Sequence, residues 1–240
     1  MKKQTLNVII IVVFMCVAAI LLHQFMSVAE TATSSVQVYI IKPITSQKIL
    51  PDTSPSSFPL AGKPTDNVIK VSACKGEYEP ASLVLRSSVS SLEGVLLEPT
   101  DLKGSSGMIG RNNIDIRTVK VWYQAGTAWY DIRSNPNAVL VPELLLHDDS
   151  IIRVDTQTQS NYLKLSYPEG IKYQDISTRI HSSERSVIHD IKEFPVRDSK
   201  AFLPVDIPAK SNKQFWITIF VPPDTIPGTY FGKIFIKSRS

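Results

Sequence analysis

Cysteine is almost missing from this chain: two occur in 240 residues, Cys16 and Cys74, and Cys16 falls inside an apolar amino-terminal run. With that run set aside as a leader, Cys74 stands alone, which excludes an intramolecular disulfide and any multi-cysteine zinc site from the folded part. Stability must then come from a packed core, and a chain of this length can bury one. Charge of one sign is missing too. Lys and Arg number 26 against 22 Asp and Glu, with no basic stripe interleaved with aromatics, so no nucleic-acid footprint is expected. There is no G-x-S-x-G elbow, no H-E-x-x-H, no P-loop and no G-x-G-x-x-G. No cofactor, no metal and no self-sufficient active site are expected.

What is present first is a leader. Lys2 and Lys3 precede the uncharged run Leu6 to Leu22, after which polarity returns. Its 17 residues exceed the roughly 7–15 of a signal-peptide core and reach the lower bound of roughly 17–25 for a spanning helix. Ser27-Val28-Ala29 places small residues three and one before a cleavage point. Residues 1–29 therefore read as a signal peptide or membrane anchor helix, with anchorage through residues 6–22, and the rest as exported. A lipid anchor at Cys16 is excluded, because Met15 is not small and the apolar run continues beyond the cysteine.

Helical periodicity is scarce in the remainder. Residues 30–66 are rich in Ser, Thr and Pro and read as an extended surface lead-in, with one edge-strand candidate in "SVQVYIIKP". Residues 67–240 read as one domain. Period-two apolarity marks strands at Val68–Ala73, Ala81–Ser87, Leu92–Glu98, Ile114–Gln124, Ile151–Asp155, Phe202–Ile207, Phe215–Val221 and Thr229–Ile236. Short strands punctuated by turn signals predict an all-β, antiparallel sandwich of immunoglobulin- or fibronectin-like layers with long loops. Pro222, Pro223, Pro227 and Gly228 fix a bend between the last two strands, which are expected to pair as a hairpin. Tyr230, just past Pro-Gly, stands where a sandwich places a corner tyrosine; an ordinary core tyrosine is the alternative. "PELLLH" (142–147) fits a helical turn or a buried strand. Residues 156–200 read as polar and irregular, with one short helix at Ser182–Ile191 and with Tyr162, Tyr167, Tyr173, His181 and His189 scattered through them.

Two groups of residues invite a functional reading. Trp122, Tyr123, Trp129 and Tyr130 crowd into "VWYQAGTAWYD", and amphipathic rings in a loop suit stacking on a sugar; core packing by Trp122 and plugging of an open end by Trp129 are the bland alternatives. The acidic candidates are weaker. Glu77 and Glu79 alternate across Tyr78 and share a face in an extended chain, but hydrogen bonding in a turn accounts for them as well. His147, Asp148 and Asp149 gather an imidazole and two carboxylates without companion ligands at metal spacing. An independent hydrolase working through Glu77, Glu79 or Asp149 is the least favoured reading.

Three ordered blocks, "CKGEYEPASLVLRS" (74–87), "IDIRTVKVWYQAGTAWY" with "VLVPELLLHDDSIIRVD" (114–155) and "FLPVDIPAKSNKQFWITIFVPPDTIPGTYFGKIFI" (202–236), resemble the amino-terminal β-sandwich of bacterial proteins related to glycoside hydrolase family 123. The resemblance implies that catalysis belongs to a following (β/α)8 barrel, whose adjacent Asp-Glu pair cleaves N-acetylgalactosamine with help from the substrate's acetamido group, an exception to the two-carboxylate scheme. No Asp-Glu dipeptide occurs in this sequence, so those catalytic residues have no positions here. The implied role is a non-catalytic accessory module whose partner is that barrel. The alternative is a stand-alone, envelope-associated carbohydrate-binding protein whose partner is a glycan.

Overall fold

The computed structural model describes residues 6–14, 36–62, 67–125, 138–177 and 194–239. In chain order the strands are β1 (Leu6–Phe14), β2 (Val36–Ile41), β3 (Val68–Ala73), β4 (Tyr78–Ser87), β5 (Leu92–Pro99), β6 (Leu102–Lys103), β7 (Met108–Ile109), β8 (Ile114–Ala125) and β9 (Ala138–Leu146). They continue with β10 (Ile152–Asp155), β11 (Ser160–Tyr167), β12 (Gly170–Asp175), β13 (Val205–Ile207), β14 (Asn212–Phe220) and β15 (Thr229–Arg239). Helix among the described residues is limited to short 3-10 turns, and none is long and apolar enough to cross a membrane. The fold is all-β with antiparallel sheets, and β1 with β15 is a parallel pair.

The chain divides into two compact units: residues 1–116 with 204–240, and residues 117–203. In the first unit one sheet runs β13-β5-β15-β1-β3, with β6 and β7 beside β15, and β4 pairs β2 on one side and β14 on the other. Alternation explains what each strand buries. Phe215, Ile217, Ile219 and Val221 are fully buried, and Trp216, Thr218 and Phe220 between them are half-buried. Tyr230, Ile234 and Ile236 are buried while Phe231, Lys233 and Lys237 are exposed. On β4 both faces are covered: Ala81, Leu83 and Leu85 on one, Ser82 and Val84 on the other.

The second face of β4 is covered by the Pro-rich lead-in. Val84 packs with Ile41, Ile49 and Phe58, against which Tyr39 and Leu60 lie, and the Tyr39 ring meets Phe58 edge-on at 5.0 Å. The segment is extended, as its prolines dictate, but Ile49 and Phe58 are buried rather than on the surface. Asn212 clasps it: the Nδ2 amide donates to the carbonyls of Leu50 (3.0 Å) and Thr53 (2.7 Å), and Oδ1 accepts from Arg86 (2.9 Å). A buried amide with donors and acceptors satisfied in this way fixes irregular chain that has no ladder of its own.

One segment departs from its expected helix without bearing on the leader reading, and one expectation is corrected. Leu6–Phe14, where a leader helix is expected, form a strand that pairs with β15 from Asn7↔Thr229 to Phe14↔Ile236 and with β3 from Leu6↔Ala73 to Ile11↔Val68. The run Asn7-Val8-Ile9-Ile10-Ile11-Val12-Val13 is β-branched at six successive positions, and such side chains prefer a strand when a ladder is available on each side. The closing strands are not a hairpin either: β14 pairs β4, whereas β15 pairs β5 and β1. The proline bend is a corner between sheets. Tyr230 closes it by donating from its hydroxyl to the Ile226 carbonyl at 2.7 Å, the bond that a corner tyrosine makes. Its ring leaves no room for side chains at Gly104 and Gly107, where an added Cβ would lie 3.0 Å from the tyrosine.

In the second unit β8 and β9 pair antiparallel, and β10, β11 and β12 form a three-stranded meander. "PELLLH" is strand through Leu146, with a register shift beside Pro142, and none of Pro142 to Leu146 is buried. Residues 156–200 are not irregular throughout: Ser160–Tyr167 and Gly170–Asp175 form the β11–β12 hairpin. The turn signal Pro168-Glu169-Gly170 and the alternation Asn161, Leu163, Leu165 against Tyr162, Lys164, Ser166 were there to mark it. Residues 182–191, with His181 and His189, lie outside the described residues.

Candidate functional site

Of the aromatic candidates, Trp122 and Tyr123 fall on β8. Trp122 and Tyr123 stand opposite Val141 and Leu140 and, as neighbours on one strand, point to opposite faces. The Trp122 indole Nε1 donates to Glu143 Oε2 at 2.9 Å, and Gln124 Nε2 donates to the same oxygen. Both rings are half-buried. Trp129 and Tyr130 lie outside the described residues.

The acidic candidates are held in separate structural contacts. Glu77 Oε2 accepts from the Cys74 amide at 2.7 Å, closing a tight turn in which Gly76 takes a left-handed φ of 78° that glycine adopts without strain. Glu79 stands opposite Ile219 in the β4–β14 ladder. Asp149 pairs with Lys120 at 2.9 Å and Asp148 with Lys164 at 2.8 Å. His147 is buried; its amide donates to Asp198 Oδ2 at 3.0 Å, and Nδ1 lies 2.8 Å from the Ser199 carbonyl. Three adjacent residues thus anchor three different pieces of chain, because a short 3-10 turn at Asp149–Ile151 splays them. No group of three or more His, Cys, Asp or Glu among the described residues could hold a metal ion.

Burial pushes the Asp148 carboxyl up, but hydrogen bonds from Lys164 and Ser150 and the Lys164 charge outweigh it and hold the group below its ordinary value. A depressed folded value stabilises the fold above the unfolded value of about 3.9, and this contribution is lost as pH falls through the folded value. Asp148→Asn should therefore cost about 1.5–3 kcal/mol near pH 7, the scale of a hydrogen bond to a charged group. Urea unfolding of both proteins should show the gap closing as pH falls below about 4; a gap independent of pH would refute the ion-pair account.

Sequence reasoning missed a second cluster, on the open face of the β10–β12 meander. Ile152, Asn161 and Leu165 are buried on one face; Arg153, Asp155 and Tyr162 occupy the other, Arg153 directly opposite Tyr162. The Arg153 guanidinium carbon lies 4.7 Å from the Tyr162 ring centroid and 4.8 Å from that of Tyr173, within cation–π range of both. The Tyr173 hydroxyl donates to the Ser150 carbonyl at 3.0 Å, which fixes that ring. Asp155 Oδ1 accepts from the amides of Gln157 (2.8 Å) and Thr158 (3.2 Å), and these bonds hold the carboxyl below its ordinary value. Arg153, Val154, Asp155, Thr156, Gln157 and Tyr162 line an open concavity of about 360 Å³. The i, i+2 spacing of Arg153 and Asp155 was legible, but that Tyr162 and Tyr173 flank the arginine follows from strand pairing, which spacing does not give.

No family model matches the chain, and no curated protein matches it. A solved structure similar to it is a family 123 glycoside hydrolase from Clostridium perfringens, described in work on glycolipid glycan hydrolysis, at 19% identity and a TM-score of 0.39. The similarity covers 69% of this chain and 19% of that one, so this chain spans less than a fifth of the enzyme's length.

Proposed function

We propose that this chain is a non-catalytic accessory module of an exported glycoside-hydrolase-like protein, two β-sheets packed as a sandwich that serves a catalytic barrel lying outside these residues. The observation that carries the reading is the dispersal of the acidic residues the sequence singles out: Glu77 closes a turn, and Asp148 and Asp149 are paired with separate lysines. Glycosidic cleavage by the common scheme needs two carboxyl groups at a set separation across a bound sugar. The three sequence blocks that resemble the sandwich of family 123 relatives supply the rest. The purified chain, assayed on aryl N-acetylhexosaminides, should show no turnover above buffer. Turnover abolished by Glu79→Gln would overturn the proposal and make the chain an enzyme in its own right.

A further inference from the structure

We propose that the open face of the β10–β12 meander is a binding site for a neutral pyranose, held between the guanidinium of Arg153 and the carboxylate of Asp155. The site is separate from the aromatic residues of β8, and the inference does not depend on whether a barrel accompanies the chain. A sugar ring presents hydroxyls that donate and accept side by side, so a site for it needs a fixed donor and a fixed acceptor at short spacing. Arg153 is that donor. The two tyrosine rings hold its plane in place, and no hydrogen bond or salt bridge engages its N–H groups among the described residues; a guanidinium offers five of them in a rigid fork. Asp155 is the acceptor. One oxygen is tied to the turn amides and the Thr158 side chain also bonds the carboxyl, which fixes the carboxylate while its two oxygens keep lone pairs for a sugar hydroxyl.

Charge and shape select the ligand class. Arg153 and Asp155 share one strand face without forming a salt bridge, so the concavity carries one charge of each sign and no net attraction for an anion. The remaining lining is Thr156, Gln157 and Tyr162, which offer polar groups to hydroxyls, and Val154, which adds an apolar contact for a ring C–H face. Groups already held in place lose little freedom on binding, but the concavity is open, so millimolar affinity is expected for a single sugar.

Saturation-transfer NMR and calorimetry on the full chain with methyl glucoside, methyl galactoside and methyl N-acetylgalactosaminide should detect at least one of them, with glucuronate no better. Arg153→Lys keeps the charge but loses the fork, and Asp155→Asn keeps an oxygen for the turn amides but replaces the second acceptor with a donor. Each should weaken binding at least tenfold with the urea midpoint unchanged. Three results would overturn the proposal: no binding of any pyranoside at 50 mM (roughly tenfold above the expected range), binding of glucuronate alone, or binding lost in Trp122→Ala and intact in Arg153→Lys. None of these results bears on the hexosaminide assay, so the two readings fail separately.

Discussion

Replacing Asn161 with alanine should destabilise the second unit by roughly 2–4 kcal/mol and disorder its open face. Asn161 is 4% exposed, and its side chain mimics a strand: Oδ1 accepts from the Tyr123 amide at 3.0 Å, while Nδ2 donates to the Tyr123 carbonyl at 2.7 Å. Its own backbone is equally committed, with the amide donating to Ser177 Oγ at 2.5 Å and the carbonyl accepting from Ile176 at 2.9 Å. One side chain therefore joins β8 to β11, strands that pair with β9 and with β10 and β12 but not with each other among the described residues. Truncation strands a donor and an acceptor of Tyr123, each costing roughly 1–3 kcal/mol when left unsatisfied in a partly buried place. Hydrogen exchange at the Tyr123 amide should accelerate by two orders of magnitude or more if about 3 kcal/mol is lost, since 1.4 kcal/mol corresponds to tenfold. Asn161→Asp, which keeps an acceptor but loses the donor, should fall between wild type and alanine. An alanine variant with unchanged exchange and an unchanged unfolding midpoint would show that the two strands are held by something else.

The sequence was most informative where a strand buries one face. Phe215, Ile217 and Ile219 on β14, and Ile234 and Ile236 on β15, announce themselves by alternation because only one register puts all of them inside. Alternation says which face a residue takes, not which strand lies beside it. Nothing local distinguishes a turn that returns beside the previous strand from one that crosses to another sheet, and the hairpin expected for the last two strands turned out to be a corner for this reason. Polar strands fail for a different reason. The β11–β12 hairpin exposes Lys172, Ile171 and much of its turn, so little burial contrast remains to be read. The candidate site suffered most, because the clamp on Arg153 is assembled from Tyr162 and Tyr173, residues 9 and 20 positions away in the chain. Spacing alone does not bring such residues together; pairing does.

The same logic sets the largest effect expected in the first unit. Phe215→Ala removes a fully buried ring from the middle of β14, where Leu83 stands opposite it in the β4 ladder and is equally buried. Loss of a core phenylalanine costs about 3–5 kcal/mol, the transfer term plus the cavity that rigid neighbours cannot close. Phe231→Ala is the matched comparison, the same chemical change on β15, where the ring is 49% exposed; a shift within about 0.5 kcal/mol is expected there, the range of ordinary surface substitutions. Urea unfolding of both variants, with equal slopes, measures the difference directly. Similar costs at the two sites would mean that Phe231 is covered, as it would be by a second copy of the chain seated on that face of β15. Repeating the Phe231→Ala measurement across a hundredfold range of protein concentration separates self-association from a cover within the chain, because only the former makes the midpoint depend on concentration.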